Sequence, residues 1–242
     1  MPQNQNIPVY ITNSTGGMRP CTVPSTYRAY MPGQIRPSCG FYAAAYVLNC
    51  FHANPEWNDL SLFQESTRYP NANSREGKLS VIGEIFEPRE FTNFINSCSR
   101  GTCTAACQPF RAQTILNTIR HDGYILVPFQ VTSDEQNSGN ERNGFPKINV
   151  QPNDTPHAHW CVVAGHLAEN ENSLLAKHWG KNHLFDIDEL SNSNSGIHPV
   201  HTHPGLSTDR AAEVVHLQGC IITVLPAGNG DNNTPARHGC SC

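Results

Sequence analysis

Gln34-Ile-Arg-Pro-Ser-Cys39-Gly-Phe-Tyr-Ala-Ala-Ala-Tyr-Val-Leu-Asn49 is the stretch around which the chain is organised. Arg36-Pro37 is an extended or turn dipeptide, because a residue before proline avoids helical dihedrals. After it, Phe41, Ala44, Ala45 and Leu48 recur at i, i+3, i+4 and i+7, the spacing of one buried helix face. Cys39 therefore stands in the first turn of a buried helix, where free N–H groups and the positive end of the helix dipole point at its sulfur. Such a position lowers a thiol pKa and favours the nucleophilic thiolate. Gln34, upstream of the thiol, is placed to return its side-chain amide to the same spot as an oxyanion donor. A cysteine alone does not make a site, since most buried thiols are inert packing. The remainder of the chain has to supply a partner.

Composition sets the bounds. The 242 residues suffice for one large domain. Hydrophobic residues make up 38% and charged ones only 15%, so the polarity comes from Asn, Ser, Thr, His and Gln, which with 18 Gly and 18 Pro predicts a loop-rich protein around a small core. The net charge of −4 without a basic run argues against nucleic acid or an anionic membrane as partner. No apolar run is long enough to span a bilayer. Met1-Pro-Gln-Asn-Gln-Asn lacks the charged and apolar regions of a secretory signal, so a cytoplasmic protein is expected; a monomer is expected as well. Of the ten cysteines, Cys39, Cys50, Cys161 and Cys220 lie in apolar segments as buried thiols do. Cys98, Cys103 and Cys107 lie in an expected loop and could form a partial metal site or a disulfide, but no CxxC pair supports a zinc ribbon.

Read in order, residues 1–33 form an extended arm, 34–226 a single domain, and 227–242 a tail of disordered composition. Within the domain, helices are expected at 39–52, at the start of 56–78, over 88–95 and over 111–121, where Ala112, Ile115, Leu116 and Ile119 keep helical spacing. Residues 97–108 read as a loop. Tyr124–Val131 is a strand with Pro128 marking an edge or bulge. A variable polar loop follows near 132–156. Strands then begin at His157, Ser173 and His183, a short helix or turn covers 188–194, and a last strand covers 214–225. Helices first and an antiparallel sheet after them make an α+β domain.

A thiol nucleophile needs a base, and the two need not be close in sequence. His159 opens the strand His157-Ala-His159-Trp-Cys-Val-Val-Ala-Gly165. If that strand reverses near residue 170, hairpin pairing brings Lys177-His178-Trp179 beside His159. His178 is therefore the first candidate to accept the N–H of His159, more weakly than a carboxylate would. Asp186 and Asp188 are carboxylate alternatives that more often mark a solvated strand end. His157 shares the face of His159 and remains a minority choice for the base. The order Cys, His, then a polar residue one hairpin later is the papain-like order. His198-Pro-Val-His201-Thr-His203 is more often a polar loop than a zinc site.

These segments resemble those of the actin maturation protease family. In that family a Gln lies five residues before a Cys-Gly that starts a helix, as in Gln34-Ile-Arg-Pro-Ser-Cys39-Gly. Tyr124-Ile-Leu-Val-Pro-Phe resembles its strand before the variable loop, and His157-Ala-His159-Trp-Cys-Val-Val its Ala-His-Trp-Ala-Val-Val segment. Leu174-Leu-Ala-Lys-His178-Trp-Gly-Lys with Phe185-Asp-Ile-Asp-Glu-Leu-Ser-Asn192 resembles its last block. Where the family has Gln in Lys-Gln-Gly-Lys, this chain has His178-Trp179, so the third residue stays open among His178, Asp186 and Asp188. Phytochelatin synthase shows a looser likeness over the same Cys and His segments.

The resemblance implies a papain-like fold, with the nucleophile helix packed on a C-terminal antiparallel sheet. It also implies a cysteine aminopeptidase that needs no cofactor or metal and trims an acetylated residue from the N-terminus of a protein such as actin. Cys39 would attack, His159 would carry the proton, and Gln34 with the Cys39 amide would hold the oxyanion. A thiol acyltransferase on the same machinery is the alternative.

Overall fold

Alternation of apolar residues along 124–131, 157–167 and 220–226 sends two sets of side chains to opposite faces of one sheet, and helices cover both faces. The computed structural model describes residues 9–12, 17–30, 38–51, 57–70, 79–80, 85–131, 157–178, 180–197 and 216–228. Its strands are β1 (Val9–Thr12), β2 (Met18–Thr22), β3 (Cys103–Pro109), β4 (Tyr124–Val131), β5 (His157–Leu167), β6 (Asn170–His178), β7 (Lys181–Asp186) and β8 (Cys220–Pro226). The helices are α1 (Cys39–Phe51), α2 (Asp59–Ser66), α3 (Pro88–Cys98), α4 (Ala112–Arg120) and α5 (Ile187–Ser195).

The sheet runs β1-β2-β5-β4-β8-β3, with β6 paired to β5 and β7 to β6, and every pairing is antiparallel. Tyr124, Leu126, Trp160, Val162, Ala164, Ile222 and Val224 face α1 and α3. Ile125, Val127, Phe129, Cys161, Val163, Ala176 and Ile221 face the other way, onto Ile115 and Ile119 of α4 and Ile187 and Leu190 of α5. The expected α+β domain is therefore observed, built in three layers.

Three segments differ from the sequence expectation. The arm over 1–33 contributes β1 and β2, and β2 joins β5 through Cys21↔Leu167 and Thr22↔His166. The expected loop at 97–108 contains β3. Its Cys103 and Ala105 are buried while Thr104 is exposed, a strand alternation hidden by small and polar residue types. Asn96 of α3 closes that edge, donating from its amide to Ala105 O at 3.0 Å and accepting from Ala105 N at 2.7 Å. The last strand starts at Cys220 rather than 214, after Gly219 turns the chain at φ 64.

Pro128 is tolerated inside the sheet because β8 pairs only with Tyr124, Ile125 and Leu126 of β4. Beyond them α5 takes over, with Asn194 Nδ2 donating to Pro128 O at 2.8 Å and Gln130 N donating to Ser193 Oγ at 2.9 Å. Among the described residues no helix is long and apolar enough to cross a membrane.

Candidate active site

In α1 every residue except Asn49 and Phe51 is buried, which is why so many alanines are spaced among its aromatics. The helix begins at the thiol. Tyr42 N donates to Ser38 O at 2.8 Å, so Ser38 is the last residue before the helix and Cys39 the first within it. Ser38 is itself held, its hydroxyl donating to Asp59 Oδ2 at 2.8 Å in a buried contact. Asp59 opens α2, which is fixed by a capping box: Asn58 Oδ1 accepts from Ser61 N at 2.8 Å, and Asn58 N donates to Ser61 Oγ at 2.9 Å. A second helix start thus anchors the residue beside the sulfur. Neither the Ser38–Asp59 contact nor the Asn58–Ser61 cap was read from the sequence; the Asn-x-x-Ser spacing is the signal for the helix start, and no local pattern signals its partner.

The first turn of α1 lies against the beginning of β5. A Cβ added to Gly40 would stand 2.9 Å from Ile85 Cγ1 and 3.3 Å from Trp160 Cδ1. Trp160 is fixed in turn by its indole N–H, which donates to Ile85 O at 3.3 Å, and by an edge-on contact with Phe91 at 5.4 Å. The residues next to Cys39 and His159 are therefore in contact. Trp160 faces α1. The negative charge of an ionised Cys39 is one cause that raises the pKa of Cys161, after desolvation, so the two sulfurs lie within Coulombic reach.

The hairpin geometry is as the sequence implied. Its turn falls at Ala168-Glu169, and Val162 pairs with Lys177, a register that sets His178 opposite Cys161 and diagonal to His159. His178 Nε2 lies 3.4 Å from His159 Nδ1, with ring centroids 5.2 Å apart and planes at 86°. Phe129 packs edge-on against His178 at 5.0 Å, and His183 Nε2 reaches His178 O at 3.3 Å. His159 and His178 are 7% and 2% exposed. Desolvation first, and then the neighbouring His159 and His183, hold the His178 pKa well below its ordinary value, so it is neutral at pH 7 and able to accept a proton bond. Asp186 instead caps α5, accepting from Asp188 N at 2.9 Å and Glu189 N at 3.3 Å. Asp188 is exposed on that helix.

A buried ammonium lies on the α1 side of the same hairpin. Lys177 Nζ donates to Ala29 O at 2.7 Å and Asn182 Oδ1 at 2.9 Å, and it sits 4.9 Å and 5.2 Å from the ring centres of Tyr27 and Tyr46. Desolvation lowers its pKa to about 8. These contacts tie the 27–30 segment and α1 to the hairpin that carries the histidines.

Gln34, Trp179, the loop at 132–156 and His198, His201 and His203 lie outside the described residues, as does the side chain of His157. Cys98 ends α3, and Cys103 and Cys107 lie on β3. Among the described residues no three His, Cys, Asp or Glu side chains come together as a metal site.

No protein-family model matches the chain, and no curated protein matches it. Among solved structures, the chain is similar to a crystal structure from Bacillus anthracis provisionally described as a C39-like peptidase. That similarity has 11% sequence identity and a TM-score of 0.47, and covers 84% of this chain and 96% of the other.

Proposed function

We propose that this chain is a papain-like cysteine peptidase. The observation that carries the proposal is the His159–His178 contact of 3.4 Å at the end of the sheet against which the first turn of α1, beginning at Cys39, is packed. His159 takes the thiol proton, and His178 accepts from His159 Nδ1–H and steadies the imidazolium that forms. The Cys39 thiolate adds to the scissile carbonyl carbon. The oxyanion is held by the Cys39 backbone N–H and, from the sequence pattern, by the amide of Gln34. Collapse of the tetrahedral intermediate breaks the C–N bond as His159 returns its proton to the leaving amine. Water, deprotonated by His159, then hydrolyses the thioester and frees Cys39.

The substrate proposed is the N-terminal segment of a protein, with the acetylated N-terminus of actin as the first case, following the sequence resemblance. The test is mass spectrometry of actin and of mixed N-terminal peptides after incubation with the wild type and with Cys39→Ala. Loss of one terminal residue with wild type alone is expected. Identical products from both proteins would overturn the assignment of Cys39, and a product joined to an added amine would show acyl transfer in place of hydrolysis.

A further inference from the structure

Residues 24–30 leave β2 and join no strand. Side chains of other elements hold them instead. Ser25 N donates to Asp122 Oδ1 at 2.8 Å, and Thr26 Oγ1 meets Tyr124 Oη at 3.0 Å, which fixes this strap to the start of β4. Two consecutive carbonyls then tie it to two further elements. Tyr46 Oη of α1 donates to Arg28 O at 2.7 Å, and Lys177 Nζ of β6 donates to Ala29 O, also at 2.7 Å. The helix of the thiol and the strand of His178 are thus joined through adjacent peptide units of one strap. Tyr46 stands two turns after Cys39, on the same face of α1. Lys177 precedes His178 and pairs with Val162, so it shares the sheet face that α1 covers.

Packing does not explain an ammonium at this place. Lys177 is 2% exposed. It also donates to Asn182 Oδ1 at 2.9 Å and stands 4.9 Å and 5.2 Å from the ring centres of Tyr27 and Tyr46. Among the described residues no carboxylate pairs with it. The titratable groups around it are Tyr27 of the strap and Tyr46 and Cys50 of α1, and burial raises the pKa of all three, so they are neutral. Oxygens and aromatic faces alone compensate the charge. A methionine would fill much of the same space without desolvating a cation. Ala29 and Asn182 are exposed, so their oxygens would turn to water. What methionine would give up is the hold on the strap.

We propose that Lys177 is a positioning residue of the thiol site. Its ammonium latches the strap to β6 while Tyr46 latches it to α1, and the pair sets how α1, with Cys39 at its start, stands against the hairpin of His159 and His178. The inference rests on the Cys39–His159 reading and deepens it.

The test needs no substrate: it is the pH–rate profile of iodoacetamide alkylation at Cys39, followed by mass spectrometry in wild type, Lys177→Met, Tyr46→Phe and His159→Ala, with thermal unfolding recorded for each. Lys177→Met is expected to unfold no earlier than wild type. It should slow alkylation near pH 6 by about tenfold, because misplacing a paired base by a fraction of an ångström costs rates of that order. Its rate should rejoin wild type at about pH 9, where the thiolate forms without a base. Tyr46→Phe, which removes the other latch and leaves the charge in place, should displace the profile in the same direction, and it decides the matter by itself if Lys177→Met does not fold. Profiles of both variants that overlay wild type while His159→Ala shifts it overturn the role of Lys177 alone. A shift in Lys177→Met that Tyr46→Phe lacks assigns the effect to the charge and overturns the latch. An equal fall at every pH shows general loosening and overturns it too. A profile unchanged in His159→Ala overturns the Cys–His reading beneath.

Discussion

His178 Nε2 stands 3.4 Å from His159 Nδ1, the two rings nearly perpendicular, where most thiol hydrolases would place a carboxylate or an amide. A neutral imidazole accepts one proton bond and adds no charge, so it orients the base more than it strengthens it. His178→Ala is expected to lower kcat for peptide hydrolysis by about 100-fold, within the range of acid–base contributions, with little change in KM. His178→Asn, whose amide oxygen can accept from His159, should retain more activity. Steady-state kinetics on the two variants decides this, and equal loss in both would remove the orienting role.

Cys39 and Cys103 are each 3% exposed, so access alone predicts equal reactivity. Burial pushes the Cys103 thiol up to about 11, and that of Cys98 likewise to about 11. Cys39 has a helix N-terminus instead, with the His159 strand packed beside it. Brief iodoacetamide treatment at neutral pH should label Cys39 before Cys98, Cys103 and Cys161. Peptide mass spectrometry showing uniform labelling would count against an activated thiol.

Gly40 packs the first turn of α1 against Ile85 and against Trp160 of β5 without room for a side chain. Alanine would raise helix propensity by at most about 1 kcal/mol. Its Cβ, however, would come 2.9 Å from Ile85 Cγ1 and 3.3 Å from Trp160 Cδ1, and overpacking of this kind costs about 1–3 kcal/mol. The clash should win, so Gly40→Ala is expected to lower the urea midpoint and to slow Cys39 alkylation as the helix is pushed from β5. A midpoint equal to wild type would show that Ile85 moves aside.

The depressed pKa of His178 fixes the sign of an acid effect. Below its ordinary value of 6.5 the unfolded chain takes a proton on this ring that the folded chain does not, so folding stability falls as pH drops. The slope from this one residue approaches about 1.4 kcal/mol per pH unit. Urea unfolding of wild type and His178→Gln at pH values on both sides of neutrality should show a shallower acid slope in the variant. Parallel slopes would place the ring in contact with water.

Helix α1 and the β5–β6 hairpin were legible because each is a local pattern. Phe41, Ala44, Ala45 and Leu48 repeat at helical spacing, and one hairpin pairing carries His178 to His159 without knowledge of anything distant. The hidden parts depend on tertiary contact. Cys103, Ala105 and Cys107 alternate as a strand does, but small and polar residues look like loop until β8 lies beside them. Ser38 meets Asp59 only because α2 folds back onto the start of α1. Asp186, the carboxylate that competed with His178 on paper, is engaged as a helix cap.

Both imidazoles ride on one hairpin, whereas the sulfur belongs to an element synthesised much earlier. During translation the thiol leaves the ribosome first and has no base until β5 and β6 have emerged and zipped together. On the proposed Cys39–His159 reading, a chain built this way stays chemically silent while it is being made, and its reactivity switches on when the last half of the sheet closes over the first.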